Sequence, residues 1–345
     1  MPAGSAPASA PHDGPGSALI RLLLCLLAAL TCCQCAAPRV DPTRPRLPRL
    51  TMDLARNVWT CRDGKELPFT RWTPAAQQPT KGVVVCIHGL SGAASDFWPA
   101  GEHLSPMGFS LYGLQLRGQG NDPDTRRRGD IRSHRQWRHD LIDFTRIVQQ
   151  QHPRTPVYWF GESLGALIAI DSAASGEIKE APPAGLILAS PVVSLRDTLR
   201  PPPLRNLFLR SLIRLLPDKR ISLEQLGNSE VQVTSSTTHR GQMQHTAHYV
   251  KDFTLRLFRE VDILMRGSPA AAARISIPSL VLYTPNDPLT PPDKIESFFE
   301  NIASRDRAKV FFPHSYHLIL HDNERARALS ALDSWLTERA GQSGD

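Results

Sequence analysis

Val157-Tyr158-Trp159-Phe160-Gly161-Glu162-Ser163-Leu164-Gly165-Ala166-Leu167-Ile168-Ala169-Ile170 is the stretch that decides the fold. An apolar, aromatic run of strand character ends at Gly161, and a small-residue helical run begins just after Ser163. Between them, Gly161-Glu162-Ser163-Leu164-Gly165 has the G-x-S-x-G pattern of a serine on a sharp strand-to-helix turn. The glycines have a steric reason to stand there, because side chains two residues either side of such a serine would collide with neighbouring elements. The turn lifts the Ser163 hydroxyl out of the sheet and aims the first free amides of the helix at whatever binds beside it. The bare pattern also fits a Gly-rich turn with a capping serine. Its position between a buried-type strand and a helix favours the nucleophile.

Upstream, Gly82-Val83-Val84-Val85-Cys86-Ile87 has the composition of a strand buried on both faces, and it runs into His88-Gly89-Leu90-Ser91-Gly92. A strand ending in His-Gly leaves a backbone amide free for a developing oxyanion; the Leu90 amide is the first candidate and that of Leu164 the second. Asp63-Gly64 marks a hairpin between Asn57–Cys61 and Leu67–Trp72. Phe109–Leu114 and Gly185–Ala189 are further strands, and Asp122 to Asp130 reads as a solvated charged loop. Ser133 to Gln136 is a capping box opening a helix whose Trp137, Leu141, Phe144 and Val148 face the sheet. Strands alternating with helices predict an α/β fold with a mostly parallel, doubly wound sheet.

From Pro191 to Pro278 the alternation stops, over a span far longer than the ~4–6 residues of an ordinary connection. An inserted helical cap over about 192–277 is expected. Its stripe of Leu204, Leu207, Phe208, Leu212, Leu215 and Leu216 fits a helix packing on the domain, with contact to lipid as the alternative. His239, His245 and His248 have no second cluster at metal-ligand spacing and read as polar residues of the cap. The pattern resumes with the strand Ile277–Tyr283. Asp287, just past its end, stands where an acid can orient an imidazole; an Asx turn before Pro288, which Asn286 would serve as well, is the alternative, and the context favours the acid. After Ala308–Phe312 three histidines compete: His317 is preferred by its distance from the strand, His314 is the runner-up, and His321 abuts the next helix.

Ser163, Asp287 and His317 follow one another in the order of an α/β-hydrolase triad. Such a set performs acyl transfer: the imidazole accepts the serine proton and returns it to the leaving alcohol, while the acid holds the ring's tautomer. The chemistry calls for no metal and no organic cofactor.

On these residues the chain resembles the monoacylglycerol lipase/lysophospholipase-like α/β-hydrolases, often grouped with the serine aminopeptidases of S33 type. The resemblance runs from about Trp59 to Leu336 and rests on His88-Gly89, Gly161 to Gly165, Asp287 and Tyr316-His317-x-x-Leu320. It implies a helical cap over an acyl-binding cavity, and single-chain acyl esters as small-molecule substrates. Glu162 replaces the family's usual His, Ala166 its second Gly, and Gln115 and Gln119 depart from Asp-x-Arg-Gly-His-Gly. An aminopeptidase, an acyltransferase and a catalytically silent binding protein on the same fold stay open.

The chain has 345 residues, 30 prolines and a net charge of +7. That charge favours anionic surfaces, but no zinc-finger or helix-turn-helix pattern accompanies it, so nucleic acid is not expected as a partner. Arg21, the apolar run Leu22–Leu30 and Ala36-Ala37 read as an export signal over 1–37, with a retained anchor helix as the alternative. Leu30-Thr31-Cys32-Cys33-Gln34-Cys35 resembles a lipoprotein processing site, which would make the protein exported, periplasmic or membrane-anchored. Residues 38–50 form a Pro/Arg-rich tether that could lie on anionic lipid, and the hydrolase domain is expected over 51–340. Of the six cysteines only Cys61 and Cys86 fall in the folded body, which argues against a disulfide scaffold while leaving room for one bridge, and Cys86, inside an apolar run, is expected in the core.

Overall fold

The computed structural model describes residues 50–178, 181–200, 212–222, 231–238, 241 and 246–342. The leader, nearly all of the tether, the first half of the Leu204–Leu216 stripe, His239 and His245 lie outside the described residues. No helix among the described residues is long and apolar enough to cross a membrane.

Three short antiparallel strands come first: β1 (Thr51–Asp53), β2 (Val58–Thr60) and β3 (Glu66–Trp72). Strand and helix then alternate through β4 (Gly82–Ile87), α1 (Trp98–Leu104), β5 (Phe109–Leu114), α2 (His134–Gln151), β6 (Val157–Glu162), α3 (Leu164–Ala174) and β7 (Gly185–Ala189). A two-stranded ribbon of β8 (Arg220–Ser222) and β9 (Asp252–Thr254) stands apart from the main sheet. The alternation closes with α4 (Leu255–Ala272), β10 (Ser279–Tyr283), α5 (Pro292–Glu300), β11 (Arg307–Phe311) and α6 (Arg325–Gln342). The nine-stranded sheet has the order β1-β2-β3-β5-β4-β6-β7-β10-β11 and is parallel from β5 to β11. This is the α/β-hydrolase arrangement expected from the strand–helix alternation.

Side chains of a strand alternate between faces, so a strand covered on both faces must be apolar throughout. In β4, Val83, Val85 and Ile87 join one core with Trp137, Leu141 and Phe144 of α2 and Ile168 of α3. Val84 and Cys86 join the opposite core with Leu104 of α1 and Leu332, Trp335 and Leu336 of α6. Register brings the C-terminal end of β4 beside the elbow, with Ile87 opposite Gly161. There the backbones approach so closely that a methyl group on Gly165 would overlap the Ile87 carbonyl oxygen, and one on Gly161 would stand 2.5 Å from the Gly165 carbonyl oxygen. Replacing Gly165 with Ala should therefore lower stability by about 3 kcal/mol or more, read as a fall in the urea midpoint. A midpoint shift of less than about 0.5 kcal/mol would show that the elbow can open without cost.

Two sequence expectations are corrected. Asp122 is fully buried and Asp130 nearly so, rather than solvated: Lys65 Nζ lies 2.6 Å from Asp122 and Arg256 pairs with Asp130 at 2.7 Å. Cations from elsewhere in the chain make that burial tolerable. The expected cap over about 192–277 extends too far, because Leu257, Leu264, Ala271 and Ala272 of α4 belong to the same core as α2 and α3. The strand before α4 is only three residues long and pairs outside the main sheet, which hides the βα pattern. As the sequence suggested, there is no disulfide scaffold among the described residues: Cys61 and Cys86 are buried free thiols, and Cys86 lies in the core.

Candidate active site

Ser163 sits at φ 56° and ψ −116°, the strained backbone that a strand-to-helix turn of this sharpness demands. Its amide donates to the Ala189 carbonyl at 3.0 Å, which ties the elbow to β7. Gly89 passes over it so closely that a Cβ there would lie 3.1 Å from the Ser163 Cβ. The glycine of the His-Gly pair is thus what lets the loop after β4 come up to Ser163.

Ser163 Oγ donates to His317 Nε2 at 2.8 Å, and His317 Nδ1 donates to Asp287 Oδ2 at 2.8 Å. All three residues are buried. Asp287 also fulfils the turn expected of it, because its Oδ1 accepts the Leu289 amide at 2.8 Å and the Thr290 amide at 3.2 Å. The acid and the Asx turn are therefore one residue using two oxygens. Arg196 Nε holds the Asp287 carbonyl at 2.6 Å, and the Ser190 hydroxyl holds the His317 carbonyl at 2.7 Å. The competing histidines lie elsewhere: His314 is exposed, and His321 Nε2 donates to the Asp96 carbonyl at 2.8 Å; Asn286, which would have served the turn as well, donates through Nδ2 to the Pro313 carbonyl.

The loop after β4 is fixed by groups that the sequence marked only as departures from a pattern. His88, fully buried, bonds through Nδ1 to the Gly89 carbonyl at 2.9 Å, while its Nε2 accepts from the Leu116 amide and from Gln115 Nε2. Burial drives its pKa down to about 4, so it is a neutral structural imidazole. Gln119 Oε1 accepts the Ser91 amide at 2.9 Å, and the Ser91 hydroxyl reaches across to the Val250 carbonyl at 3.0 Å. Among the described residues the amides of Leu90 and Leu164 have no protein acceptor, as an oxyanion site requires.

The cavity beside Ser163 has a volume of about 380 Å³, a size suited to a small organic ligand. Leu90, Val233, Tyr249, Leu289 and Leu318 supply apolar wall; Glu162, Asp96, His248 and His321 supply polar wall. These last four were not marked as site residues by the sequence, since nothing local announces which polar side chain will face a cavity. The one available signal was Glu162, adjacent to the nucleophile. No group of acids, histidines and cysteines among the described residues could hold a metal ion.

Burial works against a charged His317, but the Asp287 carboxylate, with a smaller contribution from Glu162, outweighs it and holds the pKa above the ordinary imidazole value. A general base must be neutral, so kcat/KM on an uncharged ester should fall as pH drops, with a midpoint above the ordinary ~6.5. Glu162→Gln removes a negative charge near the ring and should move that midpoint downward. A pH–rate series on both proteins checks the pair of expectations, and a wild-type midpoint below ~6.5 would contradict them.

Comparison with known proteins follows this geometry. The sequence model of the family described as "Serine aminopeptidase, S33" matches residues 78–324. A monoacylglycerol lipase of Mycolicibacterium smegmatis is 24% identical over 275 residues, covering 79% of this chain and 93% of that protein. Phospholipase YtpA of Bacillus subtilis is 25% identical over 268 residues, covering 75% and 96% respectively. Among solved structures, a soluble variant of monoglyceride lipase from Saccharomyces cerevisiae in complex with a substrate analogue superposes with a TM-score of 0.72 at 18% identity, covering 88% of this chain and 99% of that one.

Proposed function

Because this chain belongs to the serine aminopeptidase S33 family of α/β-hydrolases, we propose that it is a serine hydrolase cleaving single-chain, lipid-like acyl esters through an acyl-enzyme. The observation that carries the reading is the unbroken hydrogen-bonded line from Ser163 through His317 to Asp287 at the wall of a largely apolar cavity. The names of the monoacylglycerol lipase and phospholipase relatives support the substrate class.

In this mechanism His317 Nε2 takes the Ser163 proton as Oγ attacks the ester carbonyl. The Leu90 and Leu164 amides receive the oxyanion, already oriented before the reaction begins. Asp287 keeps the Nδ1 proton in place and stabilises the imidazolium, which then protonates the leaving alcohol. Water, deprotonated by the same imidazole, releases the acid and restores Ser163.

Turnover of p-nitrophenyl esters and monoacylglycerols of graded chain length tests the substrate class. Medium or long chains should exceed acetate in kcat/KM by tenfold or more, at roughly 0.8 kcal/mol per buried methylene. A preference for acetate would remove the lipid-like assignment while leaving the hydrolase.

A further inference from the structure

Resting on the ester-hydrolase reading, we infer that the cavity contains a subsite for an alkylammonium group, formed by the carboxylates of Glu162 and Asp96.

Both acids line the cavity that holds Ser163. Glu162 is only 7% exposed, yet its carboxylate accepts no hydrogen bond from any described residue. A largely buried carboxylate without a donor is costly to ionise, and a cation entering the cavity would offset that cost. Asp96 holds its place through the Ala93 amide at 2.8 Å and a longer contact of 3.5 Å from His248 Nε2. The two carboxylates feel one another: burial first, then the Asp96 charge, push the Glu162 pKa up to about 7, against an opposing pull from His317. A cation between them would relieve that repulsion.

The opposing charges do not cancel the pair. The chain carries 40 lysines and arginines, but none among the described residues lines this cavity. The titratable groups facing the acids are imidazoles: His248 from the cap, His317, His88 beside Asp96, which burial keeps neutral, and His321, whose pKa burial lowers. With Glu162 titrating at about 7, the described wall of the cavity gains negative charge as pH rises through neutrality, in a protein that is positive as a whole. Such a site selects a substituted ammonium, either on the alcohol side of the scissile ester or on the acyl side, and repels anionic esters.

Two pairs of isosteric substrates test this, each differing only in charge. On the alcohol side, a choline ester is compared with the 3,3-dimethylbutyl ester of the same acid. On the acyl side, a p-nitrophenyl ester of 6-trimethylammoniohexanoic acid is compared with its carbon isostere, 7,7-dimethyloctanoic acid. One pair should favour the cation in kcat/KM by on the order of tenfold, and which pair does so locates the group. Tetramethylammonium should compete with the favoured substrate. The preference should rise as pH passes upward through neutrality, and both E162Q and D96N should reduce it toward one. Because the readout is a ratio, slower chemistry in either variant does not mimic the result. Ratios near one in both pairs, or a preference untouched by both substitutions, would overturn the subsite and leave the hydrolase standing. If no ester is cleaved, the hydrolase reading fails, and calorimetric titration of the wild type with tetramethylammonium decides the subsite alone: binding weakened by E162Q upholds it, and no heat refutes it.

Discussion

Ser163→Ala should abolish ester hydrolysis, with kcat reduced on the order of a million-fold, and should eliminate covalent labelling by a fluorophosphonate probe. The loss is that large because serine and imidazole act as a unit: without Oγ, His317 Nε2 has lost the hydroxyl hydrogen bonded to it at 2.8 Å. What remains is the oxyanion site and the bound substrate, which together retain only roughly 10³- to 10⁴-fold over water. The variant should fold, since removing one hydroxyl leaves the elbow glycines and the Ser163 amide bond to Ala189 intact. Wild-type protein that fails to label, or an alanine variant that labels equally, would place the nucleophile elsewhere.

Asp287→Asn carries the second largest effect, roughly a 10⁴-fold fall in kcat. The two oxygens of Asp287 have separate duties, and this makes the outcome specific. Oδ1 accepts the amides of Leu289 and Thr290, and Oδ2 accepts from His317 Nδ1. An asparagine keeps the turn only by placing its carbonyl oxygen toward those amides, so its NH₂ must face the imidazole. Nδ1 then becomes the acceptor and the ring proton moves to Nε2, where it can no longer receive the Ser163 proton. Stability should therefore change little while activity collapses. Activity within about tenfold of wild type, measured as kcat on a p-nitrophenyl ester, would show that another acid orients the ring.

Much of this site was legible because the decisive signals are local. Runs such as Val83–Ile87 and Val157–Phe160 can only be strands covered on both faces, and Gly161 and Gly165 are required by backbone approaches within the same motif. Other features were illegible for an equally physical reason. Asp122 and Asp130 look solvated in a run of charges, but their burial depends on Lys65 and Arg256, which the fold delivers from distant segments. Helix α4 looked like part of the cap because the strand feeding it lies outside the main sheet. Gln115 and Gln119 looked like departures from a pattern, and they are the side chains that brace the loop beside the nucleophile.

The amino-acid sequence by itself determined the α/β alternation, the elbow and the chemical types available, because strand and helix periodicity and glycine sterics act over a few residues. Only the tertiary structure decided which acid and which imidazole reach Ser163, since His317 lies 154 positions away from it and 30 from Asp287. The same holds for the charge of the cavity. Burial and electrostatic fields act through space, so Glu162, at the end of β6, and Asp96 share one cavity wall only once the sheet has assembled.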